Sequence, residues 1–413
     1  MRTVKLSAFL SGLCGVAAAL GLLAASAHAD VTTERGASIL AFPKVLANGD
    51  ADTLIQITNT SNSMVHARCF YVNAAPNPFT GDPLWQVTDF SIWLTKQQPT
   101  HWQVSTGRFV DPTDQCIVNG YIEPWLCANA GIDPGAVPPV PENFEGELKC
   151  VEVDVSDSPV GGNHLKGEAT IKVGEDVSKY NALGFEGTEL VGETGNVLRL
   201  DQPLGVEDAV GQYNACPDEL ILNHITEGST DPVILASGGG GRCSKDSIPC
   251  EEDADCGEWG GECEDGPRIL DDSGNFALRS ATLTDLTLVP CTEDFENSIP
   301  SSVTVQFRIY NEFEQILTTS TTVDCWGNFF LYQVTSPNNP ENSQFSRGIL
   351  GTTYAQTRII PNKDGGAVIG VAGVLRADNT SRVTRSAVNL HMVGDHLSGT
   401  EGAIVDMITL PNR

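Results

Sequence analysis

The chain has 413 residues, with 53 acidic against 24 basic side chains and a formal net charge of −29. Such acidity repels phosphate backbones and excludes nucleic acid as a partner, while it suits divalent cations, a basic partner or plain solubility outside a cell. The length supplies about two or three domains with cores of their own, so cross-links are not needed everywhere.

Residues 1–29 open with Arg2 and Lys5, run through an apolar stretch and end on Ala27-His28-Ala29 before Asp30. That pattern reads as a secretory signal peptide and is set aside from the fold. A membrane anchor fits less well, because the apolar run is short. Leu13 stands before Cys14, where a lipoprotein signal wants a small residue. No later stretch is long and apolar enough to span a bilayer as a helix, so no transmembrane segment is expected after cleavage. The expected location is periplasmic, cell-surface or extracellular.

Period-two alternation then dominates. In "DTLIQITNTS" Ile55 and Ile57 share one face, with Leu54 and Gln56 on the other. "DFSIWLTKQ" groups Phe90, Ile92 and Leu94 against Trp93 and Thr95. "HWQVSTG" sets Trp102 and Val104 together, and "GEATIKV" does the same with Ala169, Ile171 and Val173. The second half repeats the style in "SSVTVQFRIYN", "AVIGVAGVLRA" and "SAVNLHMVG". Short alternating runs between Asn, Gly, Asp, Ser and Pro clusters predict an all-β chain. We expect two β-sandwich (immunoglobulin-like) domains, at 30–236 and 273–413, with a small disulfide-rich insert at 237–272. "PDELILNHI" is open between a short helix and a strand, since periodicity does not arbitrate at that length. "TLIQITNTSNSMVHARCFYV" resembles "VTVQFRIYNEFEQILTTSTTVDCW" in placing Gln56 and Gln306, Asn59 and Asn311, and Cys69 and Cys325 in like order. The likeness reads either as an internal repeat or as two generic hairpins. The proline-rich stretch 111–146 predicts a long loop wrapped over the first domain.

Twelve cysteines include Cys14, so eleven remain after cleavage and one is left over from pairing. Sequence proximity suggests Cys116–Cys127 and Cys291–Cys325, with Cys69–Cys150 inside the first domain and Cys216 unpaired. The segment from Cys243 to Cys263 adds Cys250 and Cys256, spaced too widely for a zinc knuckle. It reads as two internal disulfides, crossed as Cys243–Cys256 with Cys250–Cys263 or consecutive. Its apolar content is too small to fold without them. Its carboxylates, Asp253, Asp255 and Glu258 foremost, suit an irregular calcium site or a solvated acidic knob. No other cofactor is expected.

Catalytic patterns are thin. No Gly-x-Ser-x-Gly elbow or Ser-x-x-Lys occurs, and the glycines 238–241 lead into Arg242-Cys243 rather than a phosphate loop. Cys216 with His224, His391 with His396, and Glu152 with Asp154 are each read as ordinary structural or surface residues. Trp93 is the candidate ligand contact, because alternation sets it opposite a buried face. Trp125 is a second aromatic for such a platform.

At "DTLIQITNTS", "WLTKQQPTHWQVSTGR", "FEGELKCVEVD", "GNHLKGEATI" and the cysteine-rich segment, the chain resembles a group of uncharacterised secreted bacterial proteins. The resemblance implies export and no particular activity. The expected role is therefore non-catalytic, structural or adhesion-like, toward a protein or glycan partner. The alternative is a carbohydrate-binding or carbohydrate-processing protein.

Overall fold

The computed structural model describes residues 31–49, 51–79, 81, 83–111, 132–187, 213–225, 227–228, 241–243, 249–250, 263–264, 268–270, 276–278, 281–336, 342–363, 365–377, 383–396 and 406–411. The described residues are nearly all β, at 61% strand and 4% helix, in several antiparallel sheets.

The first nine strands are β1 (Ile39–Asn48), β2 (Ala51–Asn59), β3 (Val65–Asn73), β4 (Gln86–Leu94), β5 (Pro99–Gln103), β6 (Phe144–Val153), β7 (Leu165–Val173), β8 (Asp176–Asn181) and β9 (Leu183–Phe185). They form one nine-stranded sheet in the order β4-β3-β6-β1-β2-β7-β8, with β5 on β2 and β9 on β1. β1 and β2 meet only at Ala47↔Asp52 and Asn48↔Ala51, so the sheet has two arms joined at a corner. Alternation makes each arm apolar on one side. Leu40, Phe42, Ile55, Ile57, Phe90, Ile92, Leu94, Trp102, Val104, Leu148 and Ala169 enter a common core. The tight pair inside it is Trp102, whose Nε1 donates to Tyr71 Oη at 2.5 Å. Cys69 and Cys150 lie directly opposite on β3 and β6 and form the disulfide that the sequence suggests.

The second group opens with β10 (Pro217–Ile225). The segment open between helix and strand is thus a strand. It also corrects the domain boundary. β10 pairs with β22 (Tyr354–Pro361) and β25 (His391–Asp395), in a five-stranded sheet ordered β20-β19-β22-β10-β25. Here β19 is Ser302–Asn311 and β20 is Ile316–Asp324. Leu220 and Leu222 of β10 are drawn there because they bury against Leu286, Leu288, Phe307 and Ile359. A sheet of β11 (Glu227–Gly228), β17 (Ala281–Pro290), β23 (Val368–Ala377) and β24 (Val383–Asn389) supplies the other side of that core, with β21 (Gly327–Phe330) on β17. The four-residue helix α1 (Arg347–Leu350) adds Leu350 to it.

The cysteine-rich segment therefore interrupts the second group instead of standing between two domains. Among the described residues its strands β12 (Gly241–Cys243), β13 (Pro249–Cys250) and β14 (Cys263–Glu264) pair only with one another, and Cys243 stands opposite Cys263. β15 (Arg268–Leu270) and β16 (Phe276–Leu278) make a separate hairpin. Cys116, Cys127, Trp125, Cys256, the calcium candidates Asp253, Asp255 and Glu258, and the leader at 1–29 lie outside the described residues, as do the pairings suggested for those cysteines.

Two further expectations change. Cys216 is bonded to Cys291, so Cys216 is not the odd thiol and Cys291 does not pair with Cys325. Sequence nearness misleads because β10 and β17 face each other across one core, which brings Cys216 and Cys291 together. Cys325 is free and buried, and burial, with Asp324 next, pushes its thiol up to about 12. The two similar stretches also differ in pairing. β19 and β20 form a hairpin, whereas β2 and β3 sit on different arms and do not pair.

A third core joins the groups. Val31, Ala41, Phe70, Val72, Val151 and Phe185 pack with Val289, Phe295, Trp326, Ile369, Ile408 and Leu410. Pro43 lacks an N–H and sits where the β1–β6 register shifts, between Phe42 and Val45. Its carbonyl accepts from Trp326 Nε1 at 2.7 Å. Lys44 pairs with Asp285 beside it. The last short strand, β26 (Ile408–Thr409), runs parallel to β18 (Glu293–Asp294).

Candidate functional site

The outward face of the sheet β20-β19-β22-β10-β25 carries an open groove of about 860 Å³. Strand alternation selects its lining. On β19, Val303, Val305, Phe307 and Ile309 turn inward, leaving Thr304, Gln306, Arg308 and Tyr310 outward. On β22, Thr357 and Ile359 turn inward and Gln356 and Arg358 outward. In register across the sheet, Asn223, Gln356, Tyr310 and Ile316 form one row, and His391, Ile221, Arg358, Arg308 and Thr318 the next. Tyr354 stands at the end, 54% exposed.

The row is rich in planar polar groups. Arg358 is paired with Glu219 Oε1 at 3.0 Å and its guanidinium lies 5.9 Å from the Tyr310 ring centre. Arg308 Nε donates to Gln306 Oε1 at 3.3 Å. At the groove's floor, His224 is buried and its Nε2 lies 2.9 Å from Thr357 Oγ1. Burial pulls its pKa down to about 4, so the ring is neutral at pH 7. Tyrosine faces, carboxamides and a guanidinium fork suit a ligand with apolar C–H faces and paired hydroxyls. Among the described residues that line the groove, Glu312 is the carboxylate.

Trp93 lies elsewhere, on β4. Phe90, Ile92 and Leu94 are buried as alternation requires, and Trp93 is half-buried on the opposite side. Its ring stacks on His66 at 3.9 Å between centres, with 5° between planes. Its main-chain N–H donates to Pro134 O, so the proline-rich stretch pairs along this edge. Arg108 holds that stretch through Asp133 and Gly135 O.

Several residues read as solvated are buried instead. His396 is 0% exposed, and its Nδ1 lies 3.0 Å from Asp406 Oδ2. Burial pulls its pKa down, but the Asp406 hydrogen bond and charge outweigh that and raise it. Asp406 Oδ1 accepts from Ala367 N and Thr292 Oγ1, which explains why the pair is tolerated inside. Glu152 is buried against His164 Nδ1 at 2.8 Å, and that hydrogen bond raises the His164 pKa. Asp154 instead caps a turn by accepting from Ser156 N and Ser158 N. His391 faces out, as a surface residue should. Among the described residues no group of three or more His, Cys, Asp or Glu is placed to hold a metal ion.

No motif marks the groove, because its residues come from three strands far apart in sequence, β10, β19 and β22, and from the turn after β19. The signal available was the outward parity of Gln306, Arg308 and Tyr310. No protein-family model matches this chain, and no curated protein matches it.

Proposed function

We propose that this chain is an exported, non-catalytic interaction protein, and that its binding surface is the outward groove on β19, β22 and β10, taking a glycan. The observation that carries the reading is the in-register row Asn223, Gln356 and Tyr310, flanked by Tyr354 and Arg358. Amides and guanidinium groups offer paired donors and acceptors to vicinal hydroxyls, and tyrosine rings stack on sugar C–H faces. Glycoside hydrolysis takes two carboxylates flanking the bond, and the groove presents Glu312, so binding fits the lining better than turnover. Export is supported by the leader pattern at 1–29, by two disulfides, and by the resemblance to secreted bacterial proteins. No described helix is long and apolar enough to cross a membrane. The pairing of two sheets over a common core in the second group, and of two arms in the first, supports the sandwich reading.

The test is a glycan array probed with chain 30–413 and with Tyr310→Ala and Tyr354→Ala. Binding of a glycan class by the unaltered chain, weakened at least tenfold in both variants, is the expected result. No glycan bound, or equal binding by the variants, removes the reading.

A further inference from the structure

Beneath the shared core lies a buried group of three ionisable side chains that the binding face does not use. Alternation on β6 sends Leu148 and Cys150 into the first core and Glu147, Lys149, Val151 and Val153 the other way. Lys149 is 1% exposed and Glu147 0%. Glu293 on β18, 1% exposed, arrives from the second group. The Lys149 Nζ lies 2.5 Å from Glu293 Oε2, 3.1 Å from Glu147 Oε2 and 3.3 Å from Pro290 O. Phe70, opposite Lys149 on β3, stacks on Phe295 at 4.8 Å and helps to keep the site dry.

As an ion pair this arrangement is poor. Each buried charge costs several kcal/mol in lost solvation, and two carboxylates share one cation. Among the described residues, the two carboxyl groups find no partner beyond Lys149 and each other. As a reaction centre it is well composed. An amine touches a carboxyl group, a second carboxyl stands beside both, and water is excluded.

We propose that Lys149 and Glu293 are joined by an isopeptide bond formed within the folded chain, with Glu147 relaying the protons. The amine and the acid condense and lose one water, with no oxidant or reductant required. Lys149 first gives a proton to the Glu147 carboxylate. Its lone pair then attacks Cδ of protonated Glu293, forming the N–C bond. Glu147 carries a proton from that nitrogen to the departing hydroxyl, the C–O bond breaks, and water leaves. Burial, and then the Glu147 charge, hold the Glu293 carboxyl well above the ordinary range, which supplies its protonated form. Burial lowers the Lys149 pKa, but the two carboxylates raise it further, so the ammonium is the resting form and the proton transfer to Glu147 starts the reaction. The product replaces an underbonded ionic group with a neutral amide and ties the first sheet covalently to the second group.

Tryptic peptides of the reduced and alkylated unaltered protein decide the matter. The expected product is a branched species in which trypsin does not cut after Lys149, joined to the peptide carrying Glu293 and lighter than the two together by one water. Free linear peptides cut after Lys149 overturn the proposal. In Glu147→Gln that retains its β-sheet circular dichroism, the branch should be lost. A branched Glu147→Gln peptide removes Glu147 from the relay.

Discussion

Cys216 and Cys291 are bonded with their Cα atoms 6.6 Å apart, which fastens the residue before β10 to the residue after β17. The bond spans the two sheets of the second group, and the 75-residue separation includes the cysteine-rich segment. Closing a loop of that size contributes roughly 2–5 kcal/mol, chiefly by restricting the unfolded chain. Cys216→Ser with Cys291→Ser should lower the unfolding free energy by that amount in urea. An unchanged midpoint would show that the bond is not closed in the native protein.

Two buried histidines should drive stability in opposite directions with pH. His224 has its pKa lowered by burial to about 4 from 6.5, so its contribution is present above 6.5 and lost as pH falls through 4. At about 1.4 kcal/mol per unit that amounts to roughly 3 kcal/mol. His396 has its pKa raised, so its contribution is complete below 6.5 and lost as pH rises through the folded value. Urea midpoints from pH 4 to 8 should flatten on the acid side in His224→Gln and on the alkaline side in His396→Gln. Parallel curves for all three proteins would contradict both assignments.

Removing residues 237–272 and bridging with a short Gly/Ser linker should preserve cooperative melting and the β-sheet circular dichroism. Among the described residues, β12, β13 and β14 pair in a sheet of their own, apart from the large sheets. A variant that melts without cooperativity would place the segment in the folding core.

Trp93→Ala should cost about 1 kcal/mol, the scale of a stacked ring pair, through loss of the His66 contact. It should leave glycan binding unchanged, because Trp93 is on β4 and the groove is on β19, β22 and β10. Loss of binding in Trp93→Ala with retention in Tyr310→Ala would move the site to the first sheet.

Strand content was legible because alternation is local. Ile55 with Ile57, Phe90 with Ile92 and Leu94, and Trp102 with Val104 are all buried as their spacing requires. The Cys69–Cys150 bond needed only that both cysteines lie on core-facing strands of one domain. Partners across sheets were not legible. β10 reads the same whether it closes the first group or opens the second, and the choice rests on which distant leucines it meets. The likeness of Asn59 and Asn311 does hold in one respect. Each carboxamide oxygen accepts from the backbone N–H two residues on, at Ser61 and Phe313, and each amide donates to distant carbonyls, Leu94 and Thr95 or Leu350. A strand-end Asn closing a turn is thus readable, whereas the pairing of the strands beside it is not. The burial of Lys149, His396 and Glu152 is not legible for a related reason. A charged residue in an alternating run looks solvated until a second layer covers it.

The shared core draws on Val31 and on Leu410 alike. A chain made from its amino end must keep the apolar side chains of Phe70, Val151 and Phe185 uncovered until Val289 and Phe295 are synthesised, and the cover is complete only with Ile408 and Leu410. Until then that face is a sticky surface open to other chains. Yield should therefore respond more to the rate of chain delivery than to the stability of the finished molecule.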